Sequence, residues 1–238
     1  MTKIKYLLLA LVFSSIFNSS LLAQSSSVQT VLIDVAHGGE DQGRLGVLEA
    51  KESEVLLAIS DELREVAKDR EGIKLIFLRA EDKLLSLAER EKIISAQPLA
   101  LLVSIHLGVS SFHTESGISV YYCAPTSVAD DLVFIAEEEK FFTNAPLDCQ
   151  GEEVRDKLFA QQLEGELTKN LKLYYDGVQS SGVKKAPWAI LKTTKQPAAV
   201  VLLSSLDHPV EGRRLMDRRY RRVLATSLYQ SIEKYLQK

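Results

Sequence analysis

The sequence predicts a single three-layer α/β/α domain built on a mostly parallel central sheet. Three observations carry that expectation. Short, continuously apolar runs such as Val31-Leu32-Ile33, Leu101-Leu102-Val103 and Val200-Val201-Leu202-Leu203 read as strands covered on both faces. They alternate with segments whose apolar residues recur at helical spacing. Two histidines close such runs, and sites in open parallel sheets form at the carboxyl ends of strands.

The elements follow in order. Thr30–Val35 is the first strand, and Glu54–Ala67 a helix with its stripe at Val55, Leu56, Ile59, Leu63 and Val66. Ile73–Leu78 is a strand, Leu87–Ala96 a helix, and Leu99–Ile105 a second buried strand. Ile118–Tyr122 follows Gly117 as a strand, and Val154–Leu171 is a helix carrying Leu158, Phe159, Leu163 and Leu167. Trp188–Lys192 and Ala198–Leu203 read as two further strands, and Arg213–Leu236 as one long closing helix with a basic exposed face. The irregular stretch 124–151 reads as an insertion, with the acidic-apolar run from Asp130 to Glu139 as a short helix. No internal repeat and no second domain is visible, so the domain spans 30–238.

The amino terminus is set apart from this pattern. Lys3 and Lys5 precede an apolar run from Tyr6 to Phe17, and Ala23 precedes Gln24, the order of a signal peptide over residues 1–23. The run is too short to cross a bilayer comfortably and is followed or broken by Ser14, Ser15, Asn18, Ser19 and Ser20. The expectation is export to a periplasm or the extracellular space, with no stable membrane attachment after cleavage and a short polar tether over 24–29. Loss of two lysines and no acids takes the formal charge from −3 to −5. A mildly acidic chain is not a general nucleic-acid binder. Cys123 and Cys149 form a disulfide in an oxidising compartment or remain two separate thiols, and sequence leaves both open. Neither stands at metal-ligand spacing from a histidine.

Chemistry concentrates at three positions. His37 lies just past the first strand, Glu52 at the start of the first helix and His106 at the end of a buried strand. Two imidazoles and a carboxylate are a ligand set for a catalytic zinc, which keeps its fourth position for water. Alone, Glu52 would be an acid favoured by the helix dipole, and His113 and His208 read as ordinary loop histidines. Arg79, Asp82 and Arg90 read as a structural ion network beneath the site.

These residues sit in an ordered set of motifs. Asp34-Val35-Ala36-His37-Gly38-Gly39 is followed by Asp41 and Gly43, then by Lys51-Glu52 before Val55, Leu57 and Ala58. Arg79 and Asp82 lead to Ser86, Leu87 and Arg90, and Ser104-Ile105-His106 is followed by Gly117 and Tyr121-Tyr122. Gly182-Val183-Lys184 precedes Ile190-Leu191-Lys192. From Thr30 to the carboxyl terminus the chain resembles the zinc-dependent N-acetylmuramoyl-L-alanine amidases, the type 3 cell-wall amidases. These cut between muramic acid and the peptide stem of peptidoglycan. Each motif alone is weak, and their order and spacing make the resemblance specific. It implies Zn²⁺ on His37, Glu52 and His106 and a peptidoglycan or muropeptide ligand; a form that does not cut would bind cell wall, or instead a cell-wall or division protein.

One family signature breaks. Where the family reads Pro-Ala-Val-Leu-Val-Glu-x-Gly-Phe-x-Ser-Asn-Pro, this chain reads Pro197-Ala198-Ala199-Val200-Val201-Leu202-Leu203-Ser204-Ser205-Leu206-Asp207-His208-Pro209. Leu202 falls on the family's catalytic glutamate and Ser204 on its glycine. Val35-Ala36 replace Pro-Gly before His37, and Leu107-Gly108 replace Ala-Asn after His106. A positioned acid–base group contributes about 10²–10⁴-fold in rate. The expectation is therefore a retained zinc site with hydrolysis weak or lost. The alternative is an active amidase using a displaced acid. Asp207 and Glu211 are close in sequence but beyond the expected strand end, and Glu49 lies one turn before Glu52.

Overall fold

The computed structural model describes residues 28–108, 116–124 and 149–237. The expected leader, most of the tether, most of the expected insertion, and His113 lie outside them. Six strands form one sheet: β1 (Gln29–Val35), β2 (Ile73–Phe77), β3 (Leu101–Gly108), β4 (Ile118–Tyr122), β5 (Ser180–Lys185) and β6 (Ala198–Ser205). Their order is β2-β1-β3-β6-β4-β5. All neighbours are parallel except β4 against β6. The helices are α1 (Glu52–Ala67), α2 (Leu87–Ser95), α3 (Glu153–Lys172), α4 (Ala189–Lys192), α5 (Glu211–Met216) and α6 (Arg218–Leu236).

Strand alternation sorts the core into two layers. Val31, Ile33, Val35, Val103, Ile105 and Val201 face α1, α3 and α6, and meet Leu56, Leu63, Phe159, Leu163, Leu224 and Leu228. Leu32, Leu102, Ala198 and Val200 face the other way, onto Ile94 of α2 and Ile190 and Leu191 of α4. Helices on both faces confirm the expected three layers. No helix among the described residues is long and apolar enough to cross a membrane.

Local sequence accounts for the starts of two helices, α2 and α6. Ser86 caps α2, its hydroxyl accepting from the Glu89 amide at 3.3 Å while the Glu89 carboxylate accepts from the Ser86 amide at 2.8 Å. The structure corrects the expectation in three places. Trp188–Lys192 is not a strand. Trp188 precedes the one-turn helix α4, whose residues are all buried and so show no period. The expected closing helix breaks at Asp217, which is extended (φ −82°, ψ 123°) and caps α6 by accepting from the Arg219 amide at 2.8 Å. β5 was not expected. Among the described residues it pairs only with β4, at the sheet edge, and it keeps a polar sequence, Ser-Ser-Gly-Val-Lys-Lys.

Cys123 and Cys149 are joined in a disulfide, with Cα atoms 5.8 Å apart. Both pack on the α2–α4 layer.

Candidate metal centre

The turn after β1 brings His37 into position. His37 has φ 58°, followed by Gly38 at 125° and Gly39 at 61°. A side chain at Gly38 would bring its Cβ within 2.3 Å of the Lys83 carbonyl, so the turn lies directly on the segment after β2. The Gly38 and Asp41 backbones bond to each other at 2.7 and 3.2 Å. Beneath, the fully buried Arg79 donates to the carbonyls of Val35 (3.3 Å), Ala36 (3.0 Å) and Ser53 (3.2 Å). Arg90 pairs with Asp34 and donates to the carbonyls of Val35 (3.1 Å) and His37 (3.4 Å). Asp34 also accepts from the Ser104 hydroxyl at 2.6 Å. Of the expected network, Arg79 stands 3.7 Å from a half-exposed Asp82, whereas Arg90 takes Asp34, which Ser104 also holds, as its partner.

Glu52 opens α1 and is 0 % exposed. Its Oε2 accepts from the Arg44 amide at 3.2 Å and its Oε1 from the Leu107 amide at 3.0 Å. The second amide lies one residue past His106, so the helix start and the end of β3 are tied together. His106, also buried, has the Trp188 indole against its ring, centroids 5.0 Å apart.

These elements bring all three expected residues together. His37 Nε2 is 3.2 Å from Glu52 Oε2, and His106 Nδ1 is 3.8 Å from Glu52 Oε1. One donor atom from each lies within 4.8 Å of the other two. A Cβ at Gly43 would stand 2.7 Å from His37 Cδ2 and 2.9 Å from Glu52 Oε2, so the loop closes tightly over the cluster. Two imidazole nitrogens and one carboxylate oxygen, drawn from three separate elements, suit a small tetrahedral cation with one position left open. A cleft of about 190 Å³, lined in part by His37, Asp41, Leu87, His106 and Trp188, gives access to the two histidines.

The charges are shared unevenly. Burial lowers the His37 pKa, but the hydrogen bonds and charges of Glu52 and Asp41 outweigh it and raise it to about 9. Burial pushes His106 down to about 4. Burial would raise the Glu52 pKa, yet His37, His106 and the Leu107 amide bring it below the usual carboxylate range.

The register places the remaining sequence positions. Leu202 pairs directly with His106 across β3–β6 and is half-buried against the α2–α4 layer. Cross-strand partners share a face, so the isobutyl group stands on the His106 side of the sheet. Asp207 accepts from the Ser205 hydroxyl at 3.0 Å. Glu211 Oε2 accepts from the Gly117 amide (2.9 Å), the Ser204 hydroxyl (3.0 Å) and the Ser205 amide (2.8 Å). Glu49 is exposed. None of the three belongs to the His37–Glu52–His106 cluster. His208 Nδ1 accepts from the amides of Val210 and Glu211, both at 3.3 Å, in the turn that leads into α5.

Two contributors were not assigned roles from sequence. Asp41 Oδ2 meets His37 Nδ1 at 3.0 Å, and Trp188 backs His106. A carboxylate four residues after a histidine in a glycine-rich turn is the one local signal for the first. The second is a long-range contact with no signal in sequence.

The sequence profile of the N-acetylmuramoyl-L-alanine amidases matches residues 31–234. The chain is 27 % identical to N-acetylmuramoyl-L-alanine amidase AmiC of Escherichia coli over 222 residues, 86 % of this chain and 52 % of AmiC. It therefore spans about half of that relative's length. Identity to AmiA of Escherichia coli K12 is 24 % over 230 residues, 89 % of this chain and 78 % of AmiA. Among solved structures, AmiC2 of Nostoc punctiforme superposes with TM-score 0.71 at 22 % identity, covering 90 % of this chain and all of that one. CwlD of Clostridioides difficile, solved in complex with the GerS lipoprotein, gives 0.68 at 22 % identity, covering 88 % and 98 %. At such identities these structures show a common fold.

Proposed function

The chain belongs to the N-acetylmuramoyl-L-alanine amidase family, and from that premise we propose that it is an exported protein acting at peptidoglycan, with a zinc site on His37, Glu52 and His106 and with hydrolysis of the MurNAc–L-Ala amide weak or lost. When bound there, zinc would offer Lewis-acid polarisation of the amide carbonyl and acidification of a water. Amide cleavage also needs a group that takes the water's proton and passes it to the leaving nitrogen. In this reading Leu202 occupies that place and has no ionisable group.

The observation that carries the proposal is the pairing of Leu202 with His106, which sets an apolar side chain beside a ligand. The nearby acids support it, because Asp207 and Glu211 are engaged by the hydroxyls and amide of Ser204 and Ser205 at the end of β6, and Glu211 also by the Gly117 amide. The Glu52 environment supports retention of the metal, since two backbone amides still hold both carboxylate oxygens. The work left to such a site is binding: a muropeptide or intact wall in the cleft beside Trp188, or a cell-wall or division protein, for which CwlD's complex with a lipoprotein is a precedent.

The test is release of stem peptides from purified sacculi with added zinc, comparing the unmodified chain with Leu202→Glu and His106→Ala. An inert chain that gains at least about 10²-fold with Leu202→Glu supports the proposal. Release by the unmodified chain that His106→Ala abolishes and Leu202→Glu does not raise would replace it with the alternative of an active amidase using a displaced acid.

A further inference from the structure

Among the described residues, Asp41 is a carboxylate at the centre that neither the ligand set nor the missing base absorbs. Its Oδ2 lies 3.0 Å from His37 Nδ1, while the ring's other nitrogen, Nε2, lies 3.2 Å from Glu52 Oε2. Its Oδ1 accepts from the Gly43 amide at 3.1 Å. Gly43 is the residue packed on both His37 Cδ2 and Glu52. One side chain therefore links the imidazole to the loop that closes over it.

We infer that Asp41 is a positioning residue, whose carboxylate holds the Nδ1–H tautomer of His37 and so aims the Nε2 lone pair at the metal position. The inference rests on the metal-site reading above. With a cation on Nε2 that nitrogen carries no hydrogen, so the ring's N–H is on Nδ1 and faces the acceptor-only carboxylate of Asp41 at 3.0 Å. A neutral imidazole carries one N–H, which leaves Nε2 as the ligand atom. A carboxylate behind a ligating histidine also raises its basicity and fixes its plane. The backbone pairing of Gly38 with Asp41 does not involve the Asp41 side chain, so altering the carboxylate removes its bonds to His37 and Gly43 and leaves that pairing in place.

The experiment measures zinc affinity by chelator competition on the full chain, Asp41→Ala and Asp41→Asn, together with urea midpoints of the metal-free proteins. The tautomer of His37 in the zinc-loaded unmodified chain is read by long-range ¹H–¹⁵N NMR. Expected are a Kd raised about 10–100-fold by Asp41→Ala, a smaller rise with Asp41→Asn, which keeps an acceptor oxygen, and an Nδ1–H signal with zinc on Nε2. An unchanged Kd in Asp41→Ala overturns the inference, as does zinc on Nδ1. Equal losses in both variants that track equal falls in urea midpoint also overturn it, since they mark a purely structural role. If the unmodified chain takes no zinc, the metal-site reading itself fails, a result distinct from each of these.

Discussion

Arg90 shows how much of this site is set by single side chains. Its guanidinium pairs with buried Asp34 and reaches the carbonyls of Leu85, Val35 and His37. Removing one partner of a buried pair leaves an uncompensated charge and costs about 3–5 kcal/mol. Arg90→Ala is therefore expected to lower stability by that amount in urea titration. Adding Asp34→Ala should recover part of the loss, because the stranded carboxylate goes too. A loss under about 1 kcal/mol would mean that water reaches Asp34 and the pair is not structural. Ser104, whose hydroxyl donates to the same carboxylate, is one more polar residue inside an otherwise apolar strand, and its place is explained by this network.

At the scale of elements, α3 carries a buried acid in its first turn. Burial raises the Asp156 pKa to about 6, and the Arg155 guanidinium at 2.9 Å only partly opposes the shift. A carboxyl whose folded pKa lies above its unfolded value binds more protons when folded. Its contribution is thus favourable below about pH 4 and is lost as pH rises to about 6. Relative to the unmodified chain, Asp156→Asn should gain stability as pH rises through that window, read from urea midpoints at several pH values. Parallel curves would refute the assignment. The elements also show why local pattern failed where it did. α4 is buried all round and β5 is polar at a sheet edge, so neither displays the period on which a sequence reading depends.

For the whole molecule, the disulfide closes a separation of 26 residues between the end of β4 and the approach to α3. A cross-link of that span stabilises by about 2–4 kcal/mol, chiefly through the unfolded chain. Reductant, or a Cys123→Ala/Cys149→Ala double substitution, should lower the urea midpoint accordingly. An unchanged midpoint would show that the packing of Cys123 and Cys149 on the α2–α4 layer suffices without the bond.

The sequence by itself determined the layered α/β architecture, the buried strands, and the three residues that meet at their ends. Each depends on a short-range pattern: continuous apolar runs, helical stripes, and His37, Glu52 and His106 at strand and helix termini. Only the tertiary structure decided that Cys123 meets Cys149, that Asp41 turns back onto His37, that Trp188 backs His106, and that Leu202 stands opposite His106 while Asp207 and Glu211 bond elsewhere. Those facts depend on register and on chain reversals between residues distant in sequence. The free energy that fixes them comes from packing the whole sheet against its helices, which no local window contains.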